Sequence, residues 1–413
     1  MKTQIARRIA FALFGAIKEE RLDLVDGDRH YVFGDRHANL RATITVRSQR
    51  FYPNMLRGSI GLSETYMDGD WDADDLVALT QIGARNMVAM DRLRRQWHPV
   101  LHRAQKLADM VPTNDVAGSK RNIAAHYDLG NQLFSLFLDP TMMYSCAYFE
   151  DPAQSLHDAQ LAKLDRACRE LCLTADDHLL EIGTGWGAMA IHAAQTTGCR
   201  VTTTTISREQ HDYALEQVRD KGLEDQITVL LEDYRDLTGT YDKLVSLEMI
   251  EAVGWQYFPT YFDHCSALLA HDGLMFIQAI TIDDRAYEVE KASKSFINTH
   301  IFPGGCLPSL EVIHHCLATE TDMTTVWFDD ITPHYAETVK RWRETFVASS
   351  ELAAELGYDR TFRRMWELYL AYVEAGFRER RINDVQMVFA KPEWRDTSVF
   401  GLAAEAPARD LIQ

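Results

Sequence analysis

The fold of this chain is decided by Leu179-Leu180-Glu181-Ile182-Gly183-Thr184-Gly185-Trp186-Gly187-Ala188. Its apolar start predicts a buried strand, and the pattern Met189-Ala190-Ile191-His192-Ala193-Ala194 that follows predicts a helix. Glycines at alternate positions between them predict a tight turn that a ligand can approach closely. The spacing differs from the Gly-x-Gly-x-x-Gly of dinucleotide-binding proteins. We therefore interpret the turn as a site for a nucleoside without a pyrophosphate, with Glu181 as the partner of an ammonium or hydroxyl group; a plain strand-to-helix turn is the alternative.

Composition limits the class of protein. The chain has 413 residues, of which 46% are hydrophobic, so two or three domains with a sizeable core are expected. Asp and Glu number 61 against 43 Lys and Arg, a net charge of -18 that argues against nucleic acid as the main partner. The 7 cysteines are scattered without Cys-x-x-Cys pairs, which predicts reduced thiols in the cytoplasm and no metal site. No stretch approaches the run of about 18 apolar residues that a membrane span requires.

Toward the N-terminus, the sequence predicts a small α/β module over residues 1–90. Ile5, Ile9, Leu13 and Ile17 recur at helical spacing, and residues 42–47 alternate as a strand does. Arginine, histidine and lysine then interleave with leucine and tryptophan over residues 91–120, which predicts a basic linker helix. That helix is either a solvated connection or a contact for lipid phosphates.

Toward the C-terminus, strands and helices alternate as in a doubly wound α/β sheet. The predicted strands are His178–Ile182, Arg200–Thr204, Ile227–Leu231, Lys243–Leu247, Leu274–Ile280 and Ile382–Ala390. The predicted helices are Ser155–Leu173, Met189–Thr196, Arg208–Lys221, Trp255–Leu269 and Leu310–Thr319. This domain is expected to span residues 121–395, with a helical, aromatic-rich insertion at about 283–370 and a loose tail over 396–413. Ligands of such sheets bind beyond the carboxyl ends of the strands, where the glycine turn lies.

Further motifs flank the turn. They are His126-Tyr127-Asp128-Leu129-Gly130-Asn131, Tyr144-Ser145-Cys146-Ala147-Tyr148-Phe149, Thr205-Ile206-Ser207-Arg208-Glu209-Gln210, Asp233-Tyr234-Arg235-Asp236, Glu248-Met249-Ile250-Glu251-Ala252-Val253-Gly254 and Ile301-Phe302-Pro303-Gly304-Gly305-Cys306-Leu307-Pro308-Ser309. In this order, from about residue 120 to 392, they resemble the cyclopropane fatty acid synthase family. The resemblance implies a class I methyltransferase fold, which is a Rossmann-like doubly wound sheet with a helical lipid-covering insertion, plus a small N-terminal α/β module.

The resemblance also implies a cofactor, S-adenosylmethionine. By analogy its site comprises Tyr144, Ser145, Gly183, Gly185, Trp186, Gly187, Thr205, Gln210, Tyr234 and Arg235, to which strand-end placement adds Glu181. Hydroxyl and amide groups of this kind can bind a ribose or the methionine end without adding charge.

The catalytic groups that the resemblance implies include a bicarbonate as bound base, held by groups matching Cys146, Glu251 and Ile280. Two positions depart from the common pattern: Gln278 stands where histidine is usual, and Arg343 where a tyrosine usually follows tryptophan. Glutamine can donate a hydrogen bond to an oxyanion but cannot carry a proton charge. Arginine can hold bicarbonate in a bidentate fork if it points inward. This pattern looks like the plant-type and actinobacterial-type branch of the family.

The implied reaction transfers the methyl carbon of S-adenosylmethionine to the double bond of an unsaturated phospholipid acyl chain. A carbocation forms, so the site has to exclude water, stabilise positive charge and supply a base. Loss of a proton from the added methyl group closes a cyclopropane. A prior hydride shift instead gives a methylene branch, which a separate reductase would convert to a methyl branch.

Two rival hypotheses belong to other classes: a small-molecule methyltransferase acting on an O or N nucleophile, and a catalytically silent lipid-binding relative. For the lipid enzyme we expect a cytoplasmic protein that associates transiently with the inner membrane face. A homodimer is left open.

Overall fold

The computed structural model describes residues 2–96, 130–291 and 293–395. Most of the predicted basic linker, the predicted tail and His126 lie outside the described residues. No helix within the described ranges is long and apolar enough to cross a membrane.

The N-terminal part builds a four-stranded sheet in the order β2-β1-β3-β4. Its elements are α1 (Lys2–Phe14), β1 (Arg21–Asp26), β2 (Arg29–Gly34), β3 (Arg41–Val46), α2 (Phe51–Met55), α3 (Ser59–Met67), β4 (Trp71–Ala73) and α4 (Leu76–Gln96). Residues of β3 alternate between buried and less buried, which turns Ala42, Ile44 and Val46 toward the core, as the sequence pattern predicts.

The C-terminal part builds a seven-stranded sheet in the order β7-β6-β5-β8-β9-β11-β10. Its elements are α5 (Asn131–Phe134), α6 (Leu156–Glu170), β5 (His178–Ile182), α7 (Ala188–Thr197), β6 (Arg200–Thr204), α8 (Arg208–Asp220), β7 (Ile227–Leu230), β8 (Tyr241–Leu247), α9 (Phe258–Leu268), β9 (Leu269–Ile282), α10 (Asp284–Glu290), α11 (Leu310–Glu320), β10 (Thr324–Asp330), α12 (Thr332–Ala348), α13 (Ser350–Glu355), α14 (Arg360–Arg378) and β11 (Ile382–Ala390).

The first five strands are parallel, and β11 runs antiparallel to both β9 and β10. Strand β5 lies between β6 and β8, and its residues 179–182 are buried because helices cover both faces of the sheet. The carboxyl ends of β5, β6, β8 and β9 therefore meet at one edge of the sheet. This is the doubly wound α/β fold that the sequence predicts.

The region 283–370 is not wholly helical, so that part of the sequence prediction is wrong. Residues Thr324–Asp330 form β10, the edge strand of the sheet, and Leu310–Glu320 is the sheet-covering helix α11 that precedes it. The strand contains Val326, Trp327 and Phe328, residue types that favour extended structure. The other helices of this region are α10, α12, α13 and the first half of α14, together with the π-helical turn Ile297–Ile301.

Helix α14 joins the two parts of the chain. One hydrophobic cluster runs from α1 through α4 to α14, with Trp366 and Leu370 fully buried within it. Arg364 of α14 places its guanidinium 3.8 Å from the ring centroid of Tyr66, and its Nε donates to the Tyr66 carbonyl at 2.6 Å. The N-terminal part thus supports the outer face of a helix whose other residues reach the candidate site.

Candidate active site

A cavity of about 410 Å³ opens at the carboxyl ends of β5, β6, β8 and β9. The glycine turn after β5 forms one side of it. The aromatic wall of the cavity comes from outside the sheet: Phe302 precedes α11, Tyr335 and Trp342 lie on α12, and Tyr369 lies on α14. The glycine turn and the aromatic wall therefore line a single continuous cavity.

The turn itself provides room for a ligand. Gly185 has a φ of 52°, and a Cβ placed there would meet no atom of the described part of the chain within 4 Å, so the backbone faces the open cavity. Gly187 plays a different part: it precedes α7, and a Cβ there would come within 3.2 Å of the Ala214 side chain. Gly183 and Gly185 line the cavity, whereas Gly187 allows α7 and α8 to pack closely.

Polar groups from β5 and β6 lie beside the turn. Thr203 Oγ1 donates to Glu181 Oε2 at 2.6 Å, and burial raises the pKa of Glu181 to about 8. Thr205 Oγ1 donates to Gln210 Oε1 at 2.9 Å. Ser207 caps α8 by accepting the Gln210 N–H, which fixes that residue at the start of the helix. Glu181, Thr205 and Gln210 all line the cavity.

Tyr234 and Arg235 follow β7. The Tyr234 hydroxyl is buried and has no hydrogen-bond partner among the described residues. Arg235 is held by Asp233, to whose two carboxylate oxygens its Nε and Nη2 donate at 2.8 and 2.7 Å. All three residues line the cavity, and Asp233 is a residue for which the sequence proposed no role.

A third set of cavity residues lies before α6. The Tyr144 and Tyr369 hydroxyls are hydrogen-bonded at 2.7 Å, which links this segment to α14. Ser145 Oγ accepts from Lys163 Nζ at 2.6 Å. Lys163 is fully buried, and burial lowers its pKa to about 8. Trp186 of the turn donates its indole N–H to Asn131 at 2.7 Å.

Glu251 follows β8 and faces the same cavity. Its Oε1 accepts the backbone N–H of Ile280 at 2.5 Å, while its Oε2 is buried and has no partner among the described residues. Burial raises the pKa of Glu251 to about 8, and the charge of neighbouring Glu248 adds to the effect. A carboxylate with this pKa is suited to accept a proton near neutral pH.

Glu248 is a cavity-lining residue that sequence reasoning missed. Its φ is 51°, in the left-handed region that non-glycine residues seldom occupy. Three donors converge on its carboxylate: the Cys146 N–H at 2.8 Å, Gln278 Nε2 at 2.6 Å and the Tyr335 hydroxyl at 2.5 Å. Glu248 stands three residues before Glu251 in a quoted motif, but its strained backbone and its donors become visible only in three dimensions.

Cys146 and Gln278 lie behind Glu248 and do not line the cavity. Both side chains are fully buried. Burial raises the pKa of the Cys146 thiol well above its usual value, so it remains a thiol rather than a nucleophilic thiolate. Gln278 donates to Glu248 and accepts from Gln386 Nε2 at 2.9 Å. These two residues support the wall of the site and do not form its surface.

Comparison with known proteins decides the family. The family model for mycolic acid cyclopropane synthetase matches residues 115–387. The chain belongs to this family. It is 40% identical over 328 residues to "Tuberculostearic acid methyltransferase UfaA1" of Mycobacterium tuberculosis, covering 78% of this chain and 76% of that protein. It is 35% identical over 358 residues to "Cyclopropane-fatty-acyl-phospholipid synthase" of Escherichia coli K12, covering 85% and 88%.

A solved structure supports the same assignment. "Mycolic acid cyclopropane synthase CmaA1 complexed with SAH and CTAB" has a TM-score of 0.62 and 32% identity, covering 66% of this chain and 98% of that one. The family resemblance and the class I methyltransferase fold are therefore confirmed. The chain is an S-adenosylmethionine-dependent methyltransferase of the cyclopropane synthase type.

The residues of this synthase-type cavity fit S-adenosylmethionine. Gly185 leaves open space above its backbone, and the Tyr234 hydroxyl, which no described residue contacts by a hydrogen bond, offers one to a ligand. Glu181, whose Oε1 is not used by Thr203, can receive an ammonium or hydroxyl group. When bound, the cofactor supplies an electrophilic methyl group.

Arg343 lies away from the cavity wall of this enzyme. Its Nε donates to Glu374 Oε2 at 2.7 Å, and the Glu374 side chain is almost fully buried between Arg343 and Arg378. The residue before it, Trp342, lines the cavity in its place. The structure thus pairs Arg343 with a carboxylate of α14 rather than with an anion in the cavity.

The residues present do not fit a bound bicarbonate. The N–H of Cys146 already donates to Glu248, and the N–H of Ile280 already donates to Glu251. A free anion would have to displace both acidic side chains from these donors and would then lie beside them in a buried site. The chain's own side chains therefore occupy the donors that the resemblance assigned to bicarbonate.

Proposed function

We propose that this enzyme transfers the methyl carbon of S-adenosylmethionine to the double bond of an unsaturated phospholipid acyl chain, with loss of one proton from the added carbon. The product is a cyclopropane fatty acyl chain. One observation carries this proposal: Glu251 Oε2, which has no partner among the described residues, belongs to a side chain lining a cavity that joins the glycine turn to an aromatic wall.

The aromatic wall suits the cation that such a transfer creates. When an alkene carbon takes the methyl group, its π electrons form the new bond and the sulfur keeps the electrons of the broken bond. The other alkene carbon becomes cationic. The rings of Phe302 and Trp342 in this wall lie next to the ring of Tyr144, and aromatic faces attract cations. They also exclude water, which would trap the cation as an alcohol.

Glu251 is the proposed base. It takes a proton from the added methyl group at Oε2, and the electrons of that C–H bond close the ring on the cationic carbon. The hydrogen bond from Ile280 to Oε1 fixes the orientation of the carboxylate. Cys146, Gln278 and Ile280 are positioning residues. They donate hydrogen bonds that orient Glu248 and Glu251, and they do not touch the reacting atoms.

A second product remains a candidate because of the 40% identity to a tuberculostearic acid methyltransferase. If a hydride moves along the acyl chain before Glu251 takes the proton, the product is a methylene branch. A separate reductase would then be required to make a methyl branch. Gln278, which stands where the family usually has histidine, is the supporting residue that distinguishes this site.

The proposed substrate lies in a bilayer, so we propose that this enzyme works in the cytoplasm and contacts the inner membrane face transiently. The formal charge of -18 makes uniform attraction to anionic lipid unfavourable, so the contact has to be local. A homodimer is a further proposal, which sedimentation of the purified chain would test.

The test uses methyl-labelled S-adenosylmethionine with vesicles of a cis-monounsaturated phospholipid, and matched vesicles whose chains are saturated. We expect label in the acyl chain of the unsaturated vesicles alone. Fragmentation in a mass spectrometer then separates ring from methylene. Label that appears only on small O or N acceptors would instead establish the small-molecule methyltransferase, and binding of lipid without any transfer would establish the silent relative.

A further inference from the structure

Glu248 has a left-handed backbone conformation, which is energetically unfavourable for a residue with a side chain. Its φ of 51° is one of four positive values among the described non-glycine residues. Glycine would adopt this conformation without strain, because the penalty comes from the Cβ. Strain of this kind persists where surrounding contacts determine the conformation, and it concentrates at functional sites. The position therefore keeps a carboxylate where the backbone favours glycine.

The surroundings of Glu248 are those of an anion-binding site. A backbone N–H, an amide and a phenol hydroxyl donate to its two oxygens, and the carboxylate lies in the cavity wall beside Glu251. Donors that converge on a carboxylate stabilise its charged form. The three donors thus form a site suited to a small planar oxyanion, and the carboxylate of Glu248 itself occupies that site.

We propose that the Glu248 carboxylate is the built-in anion of this active site and takes the place of a free bicarbonate. The inference rests on the proposed function. Glu248 supplies a fixed negative charge next to the cation and next to Glu251, which accepts the proton directly. No small anion enters or leaves during turnover, and no proton is transferred to Glu248.

Buried titratable groups surround Glu248 and affect its pKa. Those that face it are Cys146, Lys163, Glu251, Tyr335 and Asp384. Burial raises the pKa of Asp384 well above its usual range, and the charges of Glu248 and Glu251 raise it further. Burial leaves the pKa of Glu248 above its usual range, and the hydrogen bonds from Tyr335, Cys146 and Gln278, together with the charge of Lys163, limit that rise by favouring the ionised form.

The first arm of the test measures wild-type turnover in degassed, carbon dioxide-free buffer, with and without added sodium bicarbonate. We expect the two rates to agree within about twofold. A rate that rises more than about tenfold with bicarbonate would overturn the inference while leaving the proposed function intact. Absence of acyl-chain product under both conditions would overturn the proposed function itself, and the inference with it.

The second arm uses E248Q and E248G, with E216Q as a control at an exposed position of α8. We expect E248Q to lose about 100-fold in turnover, the scale of removing one preorganised electrostatic group. E248G relaxes the backbone and empties the anion site, so we expect added bicarbonate to restore its turnover at least tenfold. Calorimetry with S-adenosylmethionine shows that each variant is folded. Variants at wild-type rates, or a cofactor-binding E248G that bicarbonate does not restore, would overturn the inference.

Discussion

The backbone N–H of Cys146 donates to Glu248 Oε1 at 2.8 Å, so an anion-binding donor of this active site is occupied by a carboxylate of the chain itself. The same carboxylate accepts the Tyr335 hydroxyl through its other oxygen. Two acidic side chains, Glu248 and Glu251, therefore stand at the centre of the proposed chemistry. One is held by three donors, and the other has an oxygen without a partner among the described residues.

Replacing Glu251 by Gln should abolish the proposed base. We expect turnover to fall by about 100- to 10,000-fold, the usual contribution of a general base, with little change in cofactor affinity. Initial rates on unsaturated vesicles and calorimetry with S-adenosylmethionine measure the two effects, and E216Q is the matched control. Turnover near that of the wild type would remove Glu251 from the mechanism.

The same substitution should not weaken the fold at alkaline pH. The folded pKa of Glu251, about 8, lies above the 4.5 of an exposed glutamate, so its contribution to stability is lost as pH rises through 8. A glutamine does not ionise, so E251Q does not undergo that loss of stability. Thermal unfolding at pH 6 and pH 9 should therefore show a smaller decrease of Tm for E251Q than for the wild type; an equal decrease would argue against the raised pKa.

The pH profile of turnover should report Glu251. Because the base has to be deprotonated, kcat/KM should rise about tenfold per pH unit below 8 and level off above it. In E248Q the inflection should move to lower pH, because the charge of Glu248 is one cause of the raised pKa of Glu251. An inflection that stays at the same pH would show that the two carboxylates are not coupled.

Tyr335→Phe should remove one hydrogen bond to Glu248 while keeping the aromatic ring in the cavity wall. The phenol donates to Glu248 Oε2 at 2.5 Å, and a hydrogen bond to a charged group contributes about 1.5–3 kcal/mol. We expect turnover to fall by about tenfold or more while the affinity for S-adenosylmethionine stays the same. A selective loss of cofactor affinity would instead assign Tyr335 to the cofactor site.

Lys163→Met should act on the cofactor side of the cavity. Ser145 Oγ loses the donor at 2.6 Å that orients it, and the apolar methionine fills much of the same buried space. We expect the Kd for S-adenosylmethionine to rise by about tenfold, the loss of one charge-assisted hydrogen bond. Lys221→Met, at an exposed position after α8, is the control and should keep the wild-type Kd.

Much of the fold follows from the sequence because its signals are local. Strands His178–Ile182, Arg200–Thr204 and Ile382–Ala390 begin and end as predicted, since apolar runs bounded by turn residues mark them clearly. Strand β10 was missed because it is an edge strand, where a half-exposed segment carries little periodic signal. Its place in the sheet is set by pairing with β11, a contact that sequence patterns do not show.

Residues of the candidate site could be predicted where they belong to a recognised motif. They could not be predicted where their role depends on contacts with residues distant in the sequence. Glu251 and the glycine turn stood out in the sequence and line the cavity. Glu248 did not, because its role depends on donors from residues as distant as Cys146 and Tyr335. The side chain of Arg343 shows the converse, since Glu374 on α14 draws it away from the cavity.

The central claim is that a proton leaves the added carbon, and counting deuterium tests it most directly. S-adenosylmethionine with a fully deuterated methyl group is incubated with the enzyme and cis-monounsaturated phospholipid vesicles. The mass of the lipid product is then measured by mass spectrometry. The account predicts that two of the three deuterium atoms remain in the acyl chain, for a ring or a methylene branch alike. Retention of all three, which marks simple methylation of a nucleophile, would contradict it.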